Sequence, residues 1–366
     1  MVRTRIASTL LAATATLAAS AQSAHAQSSV ELAGLISAGL NYASNVNGKS
    51  STYMGPAGVQ RPNSLVFRGT EDLGGDLKAY FLLSSMFNIA NGTNTGGPGS
   101  LFSRESYVGM SKDGWGSIQA GSSRDFLFDL SWNGYTGAYY AGIVGAHQGP
   151  FAGFGGPLGP GGNFDLDRLN GEPLNNSIKF NSANYGGFTF GAMYGFGGVA
   201  GSFGANASES FGANFSNALF GIGAAYTSAK YASMNAGRDG IRNAGIGGNI
   251  RPGPWKFAFT ATWSQNTQNG AQVRAYDTTV GYNFTPTLTA TLTYTYMNAN
   301  AVLKDRHANQ LAGVVIYNLS RRTSVYAEVL AQNAAGVGAL AQINGTPGAS
   351  SSRNQTVVTF GIQNLF

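Results

Sequence analysis

His147 and His307 are the candidates for moving a proton once His25, which lies in a leader-like N-terminus, is set aside. Neither has an acid and a hydroxyl nearby in a pattern that suggests a catalytic triad, so both read as loop residues. No His, Cys or carboxylate cluster has the spacing of a metal centre, and the absence of cysteine excludes thiol chemistry and disulfide scaffolds. Gly221-Ile222-Gly223 imitates part of a nucleotide-binding turn, but among 53 glycines such matches arise by chance. The formal charge of +6 includes Arg3 and Arg5 of the leader, leaving no basic patch suited to nucleic acid. No cofactor, metal or enzymatic activity follows from these residues. What remains is the placement of fixed charge, and that depends on the elements carrying it.

Those elements read as strands. From Leu288 to Tyr296, Leu288, Ala290, Leu292, Tyr294 and Tyr296 share one face and Thr289, Thr291, Thr293 and Thr295 the other, a period of two. Trp255 to Ser264 and Phe188 to Phe196 alternate similarly, with Tyr and Trp gathered at segment ends. Sixteen such segments can be placed between Val30 and Phe366. Tight turns such as Lys112-Asp113-Gly114 and Thr285-Pro286 interleave with longer Gly/Ser/Asn-rich loops. Short connections on one side, long ones on the other and an even strand number describe an all-β, sixteen-stranded antiparallel transmembrane barrel.

Composition agrees. Only 10% of residues are charged, against about 25% in soluble domains, and 12% are aromatic. No segment reaches the ~20 apolar residues a spanning helix needs. Arg3 and Arg5, the apolar Thr9–Ala19 run and Ala24-His25-Ala26 predict a cleaved signal peptide over residues 1–26, leaving a barrel over 27–366 in the bacterial outer membrane. One connection, approximately residues 122–175, is rich in Gly, Pro and aromatics and carries Asp165, Asp167 and Glu172. Loops beyond ~15 residues without structure of their own are usually functional, and in a wide barrel this one could fold inward and narrow the bore.

Several runs resemble the trimeric sixteen-stranded general porins of Gram-negative outer membranes, particularly the branch with a Ser-Ser-Val-x-Leu first strand. They are Ser28-Ser29-Val30-Glu31-Leu32, Phe67-Arg68-Gly69-Thr70-Glu71-Asp72-Leu73-Gly74-Gly75-Asp76-Leu77-Lys78-Ala79, Leu101-Phe102-Ser103-Arg104 with Tyr107-Val108-Gly109, Asn176-Ser177-Ile178-Lys179-Phe180 with Tyr185-Gly186-Gly187-Phe188, and the terminal Phe366. The resemblance implies passive diffusion of small hydrophilic solutes and ions, a homotrimer, outer-membrane lipid around the barrel, and Phe366 as the signal read by the assembly machinery. It also implies an arginine ladder, here Arg68 and Arg104, facing acids of the inward loop drawn from Asp125, Asp129, Asp165 and Asp167. Lys78 joins them on the face opposite Leu77, Ala79, Phe81 and Leu83, and Arg124 lies two residues beyond Ser122, where relatives carry arginine. Ser64, Leu82 and Ser84 also replace polar or charged residues of relatives, which predicts a sparsely charged lumen with weak, mildly anionic selectivity.

Three other functions compete. Leu82 and the aromatic loop residues Phe126, Phe128, Trp132, Tyr135, Tyr139, Tyr140, Phe151 and Phe154 could form a track for sugar or aromatic rings in a substrate-selective porin. An outer-membrane barrel enzyme would need a nucleophile, base and acid on the outward loops, where no such set is visible. A soluble secreted adhesin would need no detergent.

Overall fold

The computed structural model describes residues 29–55, 62–95, 100–131, 147–155 and 166–366; the predicted signal peptide, Asp165, Trp132, Tyr135, Tyr139 and Tyr140 lie outside them. Seventeen ladder segments form one antiparallel sheet. They are β1 (Ser29–Val46), β2 (Lys49–Gly55), β3 (Ser64–Gly74), β4 (Leu77–Met86), β5 (Glu105–Lys112), β6 (Gly116–Arg124), β7 (Pro173–Ser182), β8 (Phe188–Gly195) and β9 (Ser208–Ser216). They continue with β10 (Phe220–Lys230), β11 (Gly240–Ile250), β12 (Trp255–Asn266), β13 (Gln272–Asn283), β14 (Leu288–Ala299), β15 (His307–Asn318), β16 (Thr323–Ala335) and β17 (Asn354–Leu365).

β1 pairs with β17 along Leu35–Ala43, which closes the ring and leaves no edge strand. Its other side pairs first with β3, from Ser29 opposite Thr70 to Leu35 opposite Ser64, and then with β2, from Gly39 opposite Gly55 to Val46 opposite Lys49. β2 and β3 are therefore one strand interrupted by residues 56–63, and the seventeen segments make a sixteen-stranded barrel. The sequence reading begins this strand at Asn63 and omits β2. Pro56 and Pro62 lack the N–H a ladder uses and hide the continuation. Asn47 and Gly48, with φ of 52° and 93°, form the hairpin turn that brings β2 back onto β1.

Alternation decides what faces where. On β1, Leu35, Ser37, Asn41 and Ala43 are buried, while Val30, Leu32, Leu40 and Tyr42 are exposed on the outside. Register carries this parity around the ring. The threonines of β14 face inward, where Thr293 shares a 2.7 Å hydrogen bond with Thr279 of β13 and Thr295 donates to Asp277 at 2.6 Å. Outside, Trp255 packs edge-on against Tyr282 at 4.6 Å, with Tyr282 4.9 Å from Phe284, forming an aromatic collar near the short turns. The long connection between β6 and β7 covers residues 125–172, shorter than the 122–175 read from sequence. Pairing resumes past a register shift at Gly121, with Ser123 opposite Leu174 and Arg124 opposite Pro173, so Arg124 belongs to the wall.

Candidate functional site

The long connection opens with a five-residue helix, α1 (Phe126–Leu130), capped by Asp125, whose Oδ1 accepts from the Phe128 N–H at 3.1 Å. The helix lies against β9, β10 and β11. The wall is made of glycine where it lies: a Cβ on Gly191 or Gly212 would fall within 3 Å of Phe126, one on Gly223 or Gly245 within 3 Å of Leu130 or Leu127. All four glycines have the inward parity of their strands, so the absent side chains make room for α1 on the inner surface.

A cationic row lines the opposite flank of α1. Lys179 of β7 binds Asp129 and donates to the Arg124 carbonyl at 2.9 Å, while its ammonium lies 4.5 Å from the Phe126 ring centre. Arg124 pairs with Glu105 and stacks over Phe128 at 4.0 Å; Arg104 approaches the same ring at 5.6 Å and donates to the Asn170 carbonyl at 3.3 Å. Arg68 grips Glu31 with two bonds of 2.9 Å. Arg68, Arg104, Glu105 and Arg124 border one cavity of about 340 Å³, with Val66 and Leu82 as its apolar side. Burial pushes the Asp129 carboxyl above its usual range, against the downward pull of Lys179 and Arg124.

The end of the connection is anchored by two buried charge clusters. Arg168 binds Asp125 and donates to the Glu172 carbonyl at 2.6 Å and to Tyr231 at 3.3 Å. Burial, the largest influence, opposes its charge, but Asp125, Tyr231 and Glu172 together outweigh burial and raise its pKa. His147 sits between two carboxylates: Nδ1 meets Asp167 and Nε2 lies 2.9 Å from Asp277 Oδ1, while Thr262 donates to Asp167 at 3.0 Å. Burial alone would lower the His147 pKa; Asp277 and Asp167 reverse this and hold it well above the usual histidine range. Asp167, disfavoured by burial, is pulled below the usual carboxylate range by His147. Wall amides complete the attachment: Asn243 donates to the Leu166 carbonyl at 2.6 Å, Asn266 to Phe154 at 2.7 Å and Gln332 to Gln148 at 2.9 Å.

The residues singled out in the sequence thus separate into groups. Arg68, Arg104 and Arg124 share the cavity. Asp125, Asp129 and Asp167 are held in ion pairs with Arg168, Lys179 and His147. Lys78, opposite Asp72 and Ser111, has the inward parity but lies at the short-turn end of β4. Phe366 lies on the seam, where its backbone and that of Gly34 exchange two hydrogen bonds of 3.1 Å. Glu31, Glu105, Lys179, Arg168 and Asp277 were missed, and His147 is a loop residue as read, but one buried between Asp167 and Asp277. Lys179 was legible, since Ile178 and Phe180 face outward on either side of it. The described loop aromatics, Phe126, Phe128, Phe151 and Phe154, are all buried, packed by the loop and wall instead of lining an open track.

A model of Gram-negative porins matches residues 12–335. An outer membrane porin of Bordetella pertussis is 29% identical over 211 residues, covering 54% of this chain and 48% of that protein. Outer membrane porin protein 32 of Delftia acidovorans is 33% identical over 170 residues, covering 46% and 44%. The chain thus aligns with about half the length of these curated relatives. Among solved structures, an anion-selective porin from Comamonas acidovorans superposes with a TM-score of 0.75 at 22% identity, over 93% of this chain and 100% of the other.

Proposed function

Because the chain belongs to the Gram-negative porin family, we propose that it is an outer-membrane diffusion channel passing small hydrophilic solutes and ions through the barrel lumen. The observation that supports this reading is the packing of the described stretches of the 125–172 connection, residues 125–131, 147–155 and 166–172, against the inner wall beside a cavity bordered by Arg68, Arg104 and Arg124. A segment crossing the lumen narrows the bore, and fixed charges at the narrowing set which ions pass. Family and fold point to a channel and not to an enzyme.

Selectivity in this reading is weak and mildly anionic. Arg68 and Arg124 face Glu31 and Glu105, and Lys179 faces Asp129, so much of the ladder's charge is compensated locally. The solved porin from Comamonas acidovorans is described as anion-selective. The residues proposed to line the pore or its constriction are Arg68, Lys78, Arg104, Arg124, Asp125, Asp129, Asp165 and Asp167. Reversal potentials across a planar bilayer under a potassium chloride gradient test the reading: a small anionic preference is expected, and strong cation selectivity overturns the wall assignment.

The same reading includes export by a signal peptide over residues 1–26, insertion by the barrel assembly machinery through Phe366, and a homotrimer in outer-membrane lipid. The branch assignment rests on Ser28-Ser29-Val30-Glu31-Leu32 alone. A solute-selective variant of the function draws on Val66 and Leu82 beside the arginines of the cavity. Liposome swelling separates the two, since saturation by one solute marks selectivity and a pure dependence on solute size marks general diffusion.

A further inference from the structure

A second connection also turns into the barrel. Residues 336–353, which join β16 to β17, double back as a hairpin: the Ala341 N–H donates to the Ser352 carbonyl at 3.0 Å and the Ser350 N–H to the Ala341 carbonyl at 2.8 Å. Ile343, near its tip, is 1% exposed and packs on Ala43, Val314, Leu330 and Val357, all of them inward residues of the wall. Apolar wall facing water is unfavourable, so this patch gives the hairpin a seat. Gln355, inward on β17, fixes it further, its Oε1 accepting from the Ile343 N–H at 2.7 Å and its Nε2 donating to the Asn45 carbonyl at 2.7 Å.

The hairpin meets the long connection through two side chains of the wall. Gln332 of β16 is buried; its Oε1 accepts from the Gln342 N–H at 2.7 Å, and its Nε2 donates to the Gln342 carbonyl at 3.2 Å and to the Gln148 carbonyl at 2.9 Å. Arg306, immediately before β15, donates through Nε to the Val337 carbonyl at 2.9 Å and through Nη1 to the Pro150 carbonyl at 3.3 Å. Gly336 and Gly338, with φ of 108° and 64°, let the backbone turn across this arginine, where a Cβ would come within 3.0 and 3.3 Å of it. Phe151, Ala339 and Ala341 belong to one buried apolar cluster. Residues 148–151 and 337–342 are therefore held by the same two polar side chains.

We infer that the 336–353 connection is a strap on the long connection: seated by Ile343, it keeps Gln332 and Arg306 aimed at residues 148–150, so that the two connections loosen together. A carboxamide can turn end for end, and the Gln342 N–H on Oε1 fixes which end faces Gln148. The hairpin also covers Gln332, and a bond kept from water is the stronger for it. Coupling of this kind is reciprocal, so each connection must steady the other to the same degree. Its bearing on permeation rests on the channel reading proposed above, whereas the coupling itself is measured without any current.

The test is backbone hydrogen exchange, followed by NMR on the refolded full barrel in detergent micelles. Phe151 and Phe154, whose N–H groups bond within the long connection at 2.8 and 2.9 Å, report on its strapped part, and Asp129, bonded to the Asp125 carbonyl in α1, is the internal reference. I343D unseats the hairpin at a contact made with the wall alone, and should speed exchange at Phe151 and Phe154 about tenfold while leaving Asp129 unchanged. H147A, at the other end of the coupling, should speed Gln342 and Ile343 by the same factor. Unchanged exchange at Phe151 in I343D, or no reciprocal effect in H147A, overturns the inference. Equal acceleration at Asp129 shows a general loosening of the interior and overturns it too. Should I343D not reach the heat-modifiable barrel, Q355L, which removes only amide anchors of the hairpin, carries the same expectation. In a Q332L/R306Q background I343D should no longer accelerate Phe151; acceleration that persists overturns the assignment of the coupling to these side chains. Coupled exchange in a barrel that does not conduct upholds the strap and removes the channel reading.

Discussion

His147 and Asp277 lie 130 residues apart in sequence and 2.9 Å apart in space, one on the long connection and the other on the wall of β13. With Asp167 on the other ring nitrogen, this pair holds the end of the connection against the barrel. Removing the imidazole leaves two buried carboxylates facing each other, a loss of about 3–5 kcal/mol by analogy with other broken buried pairs. His147→Ala is therefore expected to release that part of the connection, giving noisier single-channel current and closure at lower voltage. Unchanged current traces would show that the clamp does not steady the connection.

The same clamp has a defined pH window. Because the folded pKa of His147 is raised, its contribution is complete below the unfolded value of about 6.5 and is lost as pH climbs through the higher folded value. Asp167 has the opposite sign: its contribution is present above an unfolded value of about 3.9 and fades as pH falls through its depressed folded value. Current noise should stay low from mildly acidic to neutral pH and rise on the alkaline side. A noise spectrum that is flat into alkali, in a channel that still conducts, contradicts this.

Close approach at Gly212 makes a steric prediction. Gly212→Val places atoms where the Phe126 ring lies and should push α1 toward the bore, lowering conductance. Combining it with Phe126→Ala should restore much of the current, because the second change vacates the contested space. Failure of the double variant to recover, although folded by heat-modifiable mobility, means that α1 does not set the aperture.

Charge pairing on the wall can be tested one partner at a time. Glu105→Gln leaves Arg124 without its carboxylate and should shift reversal potentials toward anions, whereas Arg124→Gln should shift them toward cations. Movement in the same direction for both variants excludes a direct electrostatic role for the pair.

At the seam, the Phe366 ring lies over Gly34 so closely that a Cβ there would sit 2.4 Å from it. Gly34→Val and deletion of Phe366 should both lower the yield of heat-modifiable barrel. Full yield from Gly34→Val would show that the ring's position is not needed for closure.

Strands were legible where side chains alternate cleanly, as in β14, because lipid on one face and water on the other impose a period of two on the residues themselves. β2 was less visible: Lys49–Gly55 is mostly small and polar, and two prolines follow it, although Asn47-Gly48 advertised the hairpin. The clamp could not be read at all, since nothing near His147 in sequence indicates that Asp277 will meet it. Lys179 shows an intermediate case, in which strand parity announced the inward direction but only packing revealed Asp129 as its partner.

The pairing of β1 with β17 has a consequence for biogenesis. The closing ladder joins β1 to β17, with Leu35 opposite Leu365, so the cylinder cannot seal until both of these distant segments are in place. Until they meet, β1 presents unpaired N–H and C=O groups along Leu35–Ala43, an open edge on which a neighbouring chain could add a strand.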